Sequence, residues 1–166
     1  MRTILITLVC SLTLAAGDGA RRAPGFALPD LKLQFHDLAD YRGKVLVLEF
    51  LKTDCAHCAT FAGVLAQIQP KYGDKVAVLA VANIKTDSPQ NIAQYIGGHK
   101  LTYPVALDEG QMMFSYILNP NGASMPHVYV IDAGGYIRAD YEYSALTRDV
   151  FEGKALFDDI DRLLKK

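Results

Sequence analysis

Two apolar runs, VLVLEFL at residues 45–51 and VAVLAV at residues 76–81, stand one helix length apart, and this spacing limits the possible folds more than any other feature. Runs of that kind, rich in β-branched residues and lacking polar alternation, belong to strands covered on both faces. Between them Phe61, Leu65 and Ile68 recur at helical spacing within residues 55–72, with Pro70 and Gly73 as stop signals. A strand, a helix and a second strand make a right-handed parallel crossover, with residues 45–51 at the middle of the sheet. Upstream, Phe26-Ala27-Leu28 and the alternation Leu31, Leu33, Phe35 predict a small β-hairpin at the sheet edge. Downstream, Ser88 as cap with Pro89 in the first turn opens a second helix that ends at Gly97-Gly98. Residues 103–107 read as a short extended piece and residues 111–116 as a brief helix. Strands at 127–131 and 136–143 meet at the turn Ala133-Gly134-Gly135. Residues 147–164, with Leu156, Ile160, Leu163 and Leu164 on one face, form a closing amphipathic helix. The class is α/β: a central mixed β-sheet flanked by helices, with an N-terminal β-hairpin extension.

The chain has 166 residues, enough for one core and too few for two ordinary domains. Seventeen basic residues face eighteen acidic ones, with no basic run beyond Arg21-Arg22 and Lys165-Lys166, which argues against nucleic acid and anionic membranes as partners. Met1-Arg2 precede an uncharged apolar stretch over residues 4–16, and Ala15-Ala16-Gly17 supply the small residues of a cleavage site. Residues 1–17 therefore read as a signal peptide, residues 18–25 as a linker and residues 26–166 as the folded domain. The apolar stretch is shorter than the roughly 20 residues a spanning helix needs. The expectation is an exported, periplasmic or otherwise extracytoplasmic monomer without stable membrane insertion, with retention of an uncleaved membrane anchor as the minor alternative. Cys10 follows bulky Val9 and is poorly placed for lipidation. Loss of residues 1–17 removes Arg2 and no acid, leaving 16 bases against 18 acids and only two cysteines, Cys55 and Cys58.

That pair, in Cys55-Ala56-His57-Cys58, falls where the buried strand gives way to a helix. Cys55 is thereby placed at the helix N-terminus, where free N–H groups and the positive end of the dipole favour a thiolate. A thiolate there can attack a disulfide, and Cys58, one turn on, can resolve the mixed disulfide. Half a zinc site and an inert structural disulfide are the competing readings. Zinc requires four ligands, and no second CxxC or paired histidines complete a set. Glu49 lies within the apolar strand, six residues before Cys55, where a carboxylate is paired, protonated or functional if it is not to carry a large desolvation cost. An ion pair with Lys52 is its bland alternative.

Strand, CxxC, helix and strand, followed by Met125-Pro126 just before HVYVID and a Gly-Gly turn, resemble the thioredoxin superfamily over nearly all of the mature chain. The opening APGFALPDL…LADYRGKVLVLEFLK and the insertion between Val81 and Asp108 resemble its exported TlpA/ResA-like branch of thiol-disulfide oxidoreductases. The resemblance implies an enzyme in which Cys55 attacks, Cys58 resolves and Glu49 assists as a base for Cys58. It implies that Pro126 is cis, and that Met125, Pro126 and His127 shape a substrate groove beside the sulfurs. The dipeptide Ala56-His57 resembles the DsbA-like arrangement, in which a His tunes the pair toward a more oxidising potential; the alternative is an exposed helix residue. Clients would be protein thiols and disulfides, with a redox partner protein and neither organic cofactor nor metal. The chain departs from the pattern in having no Trp before Cys55, where Asp54 stands instead, and no proline near Gly63 and Val64. Two rivals are a copper or soft-metal chaperone using Cys55, Cys58 and a His, and a peroxiredoxin-like peroxidase. The former resembles Sco-like CxxxC proteins, whereas the spacing here is CxxC. The latter would need Pro at Leu48 and Thr at Lys52.

Overall fold

The computed structural model describes residues 20–119 and 122–165. The expected signal peptide, Cys10 and the first two residues of the expected linker lie outside the described residues. The elements are β1 (Ala27–Pro29), β2 (Phe35–Asp37), β3 (Val45–Leu51), α1 (Ala56–Leu65), α2 (Ile68–Tyr72), β4 (Val76–Asn83), α3 (Pro89–Gly98), β5 (Val105–Asp108), α4 (Gln111–Tyr116), β6 (His127–Ile131), β7 (Ile137–Glu142), α5 (Arg148–Phe151) and α6 (Lys154–Leu164). A five-stranded sheet has the order β5-β4-β3-β6-β7, and β1-β2 form a separate two-stranded ribbon. β3, β4 and β5 run parallel, while β6 is antiparallel to β3 and to β7. All seven residues of β3 are buried, in keeping with its unbroken apolar run at the sheet centre.

Strand parity divides the core. Leu46, Leu48 and Phe50 face one side with Leu79, Val81, Tyr129 and Ile131, against Phe26, Leu38 and the α4 residues Met112 and Tyr116. Val45 and Val47 face the other with Val128 and Val130, beneath Phe61 and Leu65 of α1 and Leu156 and Ile160 of α6. Toward the carboxyl ends of the parallel strands, that second face continues through Leu51, Ala80 and Ala82 to Ile92 and Tyr95 of α3.

Several boundaries differ from the sequence expectation, each for a local reason. The helix expected over residues 55–72 breaks after Leu65, and Gln67 N–H turns back to the Val64 carbonyl at 3.1 Å. Pro70 has no N–H for the carbonyl four residues earlier, that of Ala66, and its ring clashes there, so the break falls one turn upstream of the proline. The closing helix is two helices, split at Gly153, whose φ of 99° suits glycine alone. A Cβ there would also meet Val64 Cγ1 at 3.0 Å. β5 starts at Val105 because Pro104 cannot donate to the ladder; its carbonyl accepts from Ala80 N–H at 3.0 Å. The hairpin forms, but of its apolar alternation only Leu31 packs against the core. Leu33 and Phe35 stand 79% and 69% exposed, and His36 instead turns inward to Asp30 and Tyr41, both at 3.3 Å. The stretch expected to be a linker is docked as well. Ile137 N–H donates to the Arg21 carbonyl at 2.8 Å, Ala23 N–H donates to the Gly135 carbonyl at 3.0 Å, and Ala23 is buried.

Candidate active site

β3 delivers the chain from the sheet centre into the turn at residues 52–55, and Cys55 becomes the N-cap of α1 (φ −97°, ψ 112°). Cys58 N–H donates to Cys55 Sγ at 3.2 Å, the side-chain capping bond that an N-cap oxygen would otherwise make. The Cys55 thiol in turn donates to the Met125 carbonyl at 3.5 Å. Both cysteines are free thiols, Cys55 half-buried and Cys58 fully buried. Burial pushes the Cys58 thiol well above its ordinary range, and the contact with Cys55 and the charge of Glu49 act in the same direction. The pair is therefore asymmetric: one sulfur is open to solvent on a helix terminus, and the other is sequestered one turn below it.

Met125 and Pro126 approach the dithiol from the loop before β6, and the peptide bond between them is cis. This loop is pinned from β7: Tyr143 N–H donates to the Pro126 carbonyl at 3.1 Å, and Ser124 N–H donates to Glu142 Oε1 at 2.6 Å. Beside Met125 a cleft of about 170 Å³ runs between Phe50, Lys52, Val81 and Met113. Through Met113 it meets a wider groove of about 690 Å³ under Phe114, Ile117 and Leu118.

Glu49 is fully buried in β3, paired in register with Ala80 on one side and Val128 on the other. Neither carboxyl oxygen has a hydrogen-bond partner, and burial raises its pKa from 4.5 to about 8. The pairing with Lys52 that the sequence allowed is not made. Parity puts Glu49 on the α1 face with Val47 and Leu51, the face that carries Cys58, and its charge is felt at that thiol.

The two histidines sit differently from one another. His57 is exposed, yet its ring stacks on Tyr143 at 4.0 Å and 22°, and Tyr143 packs edge-on against Phe151 of α5 at 5.3 Å. Ala56 beside it is exposed in the first turn of α1. His127 follows Pro126 directly at the start of β6. It pairs across from Phe50, on the opposite face of the sheet from Glu49, where its ring stacks on Tyr129 and Nε2 contacts Asp140 Oδ1 at 2.6 Å. Strand alternation along β6 sets this: Val128 takes the α1 face, so His127 and Tyr129 take the other. Among the described residues, no three His, Cys, Asp or Glu side chains converge as a metal set.

Sequence reasoning missed Asp87. Its buried carboxylate accepts from Thr53 N–H at 3.0 Å, from the Thr53 hydroxyl, and from the Thr86 hydroxyl at 3.1 Å. The connection after β4 thus clamps the residue two places before Cys55, in a region where no Trp is present to pack. Nothing local marks an Asp 34 positions from its partner, so only tertiary structure could expose the contact. Asp87→Ala strands the Thr53 N–H and the Thr53 hydroxyl, while the exposed Thr86 hydroxyl keeps the Asn83 carbonyl, and a loss of about 1–3 kcal/mol in urea unfolding is the expected outcome.

The AhpC/TSA family profile matches residues 20–140. The thioredoxin-like protein YneN of Bacillus subtilis is 29% identical over 139 residues, covering 83% of this chain and 79% of its own. The thiol-disulfide oxidoreductase ResA of Geobacillus kaustophilus is 28% identical over 146 residues, covering 86% and 74%. In fold the chain resembles the exposed lipoprotein thioredoxin Etrx1 of Streptococcus pneumoniae, with a TM-score of 0.69, 22% identity, and coverage of 84% of this chain and 100% of that one. With the profile spanning most of the chain, the chain belongs to the AhpC/TSA family.

Proposed function

We propose that the protein is a thiol:disulfide oxidoreductase acting through Cys55 and Cys58 on protein thiols or disulfides. The asymmetry of the two sulfurs carries this reading. The Cys55 thiolate, half-exposed and receiving the Cys58 N–H, attacks one sulfur of a client disulfide, forming a mixed disulfide and expelling the other sulfur as thiolate. Glu49, ionised, takes the Cys58 proton. The Cys58 thiolate attacks Cys55 Sγ, the client's second sulfur leaves as thiolate, and the Cys55–Cys58 disulfide remains. Run in reverse, the same steps oxidise a client dithiol.

Support comes from relatives named ResA and YneN and from the groove beside Met125 and Pro126, where an extended client chain can lie. His57, in the first turn of α1 with its ring stacked on Tyr143, is assigned in this reading the tuning of the pair. Residues 1–17 fit an export signal, and among the described residues no helix is long and apolar enough to cross a membrane. The test is equilibration of the purified protein with glutathione and tryptic mapping of the Cys55–Cys58 disulfide. A potential near about −270 mV makes it a reductant of clients, and one near about −120 mV an oxidant. Absence of any reversible exchange overturns the reading.

A further inference from the structure

Among the described residues, five buried side-chain polar atoms lack a hydrogen-bond partner. Four of them lie in one region: both carboxyl oxygens of Glu49 and the hydroxyls of Tyr95 and Tyr103. The fifth, Nδ1 of His127, is on the opposite face of the sheet. Tyr95 comes from the inward face of α3 and packs with Leu51, Cys58 and Ala80. Tyr103 lies just before β5, and its neighbour Pro104 bonds to Ala80, the residue across from Glu49. Two acceptors and two donors, each costly to bury unpaired, are thus collected on the Cys58 side of the sheet. No hydrogen bond joins them in this arrangement, and burial favours the protonated carboxyl. Glu49 is the largest charge acting on either hydroxyl, and burial together with that charge keeps both tyrosines protonated, hence donors, through the neutral range.

We propose that Tyr95 and Tyr103 are positioning residues for the resolving step: their hydroxyls swing to donate to Glu49 when it becomes a carboxylate and so make it available as the base for Cys58. The inference rests on the oxidoreductase reading for its consequence in turnover, but not for the contact itself. Burying a charged carboxylate without donors is prohibitive, and hydrogen bonds to the charged form are what allow it to exist. The other elements packed against Glu49 offer no substitute, because β4 and β6 present Ala80 and Val128. The remaining titratable groups nearby are Cys58 and Cys55, which donate no charge-stabilising bond to it, and His99, which packs on the Tyr95 ring at 4.5 Å. Both tyrosines belong to the segment between β4 and β5, so this crossover carries half of the proton chemistry of a site whose sulfurs lie on α1.

The experiment is carbon NMR of labelled Glu49 in the whole protein, following its carboxyl shift with pH in wild type, Tyr95→Phe, Tyr103→Phe and a protein with 3-fluorotyrosine placed at 103. Phenylalanine keeps the ring packing and removes only the hydroxyl. Each Phe variant is expected to raise the Glu49 midpoint by about one pH unit, roughly a tenfold smaller carboxylate fraction at pH 7. The fluorinated ring, a stronger donor, is expected to lower it, a movement that a packing role would not produce. The rate at which Cys58 resolves a preformed mixed disulfide follows with the same pH displacement. A midpoint unmoved in both Phe variants overturns the proposal. A shifted midpoint in a protein that shows no thiol exchange overturns the oxidoreductase reading and leaves the contact standing.

Discussion

Cys58→Ser is expected to accumulate covalent complexes with client proteins, whereas Cys55→Ser accumulates none. Cys55 alone presents a half-exposed sulfur, so under the proposed mechanism it alone forms the first mixed disulfide. Cys58 has no access to a client and acts only on the Cys55 sulfur above it. Removing Cys58 leaves the first bond intact and blocks its resolution. Non-reducing electrophoresis shows the trapped adducts, and dithiothreitol releases them. Turnover in both variants is expected to fall roughly 10⁴-fold or more, the scale on which loss of a nucleophile acts. Equal trapping by the two single variants would contradict the assigned order of attack.

The second large effect is on stability against pH, and it comes from Glu49. In the native state its proton is held up to about pH 8, while in the unfolded chain it leaves near 4.5. The native state therefore binds more protons across that interval, and unfolding free energy falls as pH rises through it. The stabilisation is complete below about pH 4.5 and gone above about pH 8. The displacement is worth about 5 kcal/mol over the whole window, undiminished by solvent because the group is fully buried. Glu49→Gln removes this dependence. Urea unfolding at pH 5, 7 and 8.5 is expected to show wild type losing ground to the variant at each step, with the variant several kcal/mol ahead at the highest pH. The same substitution is expected to slow resolution of the mixed disulfide by roughly 10²-fold, the usual contribution of a general base. Parallel pH curves for the two proteins would remove Glu49 from both arguments.

What the sequence made legible depended on how local its cause was. The parallel crossover followed from two apolar runs and one helical period, and the dithiol turn from its place between them. Glu49 was legible because a carboxylate in VLVLEFL breaks the pattern around it. The helix interruption at Gln67 was harder to see, since Pro70 acts on a carbonyl one turn behind it. The face taken by His127 was legible in strand parity, since Val128 beside it lies with the α1-facing residues. The Asp87 clamp, the stack of His57 on Tyr143 and the two tyrosines around Glu49 join residues far apart in the chain, and no single segment carries a sign of them. Asp, Thr and Tyr in loops and helix faces are too ordinary to announce such contacts.

The strand order has a consequence for how the chain reaches this state. On one edge β3 is joined to β4 through a short crossover, while its other edge pairs with β6, which begins only at residue 127. Until that late partner docks, the most apolar segment of the chain has an open row of backbone donors and acceptors, the setting in which intermolecular pairing starts. In the unfolded chain Glu49 is ionised at neutral pH, and it stands within that segment as a gatekeeper charge against self-association. The carboxylate that weakens the finished protein in alkali thus protects the unfinished one, and aggregation during refolding is the cost that selection would see if it were replaced by a neutral residue.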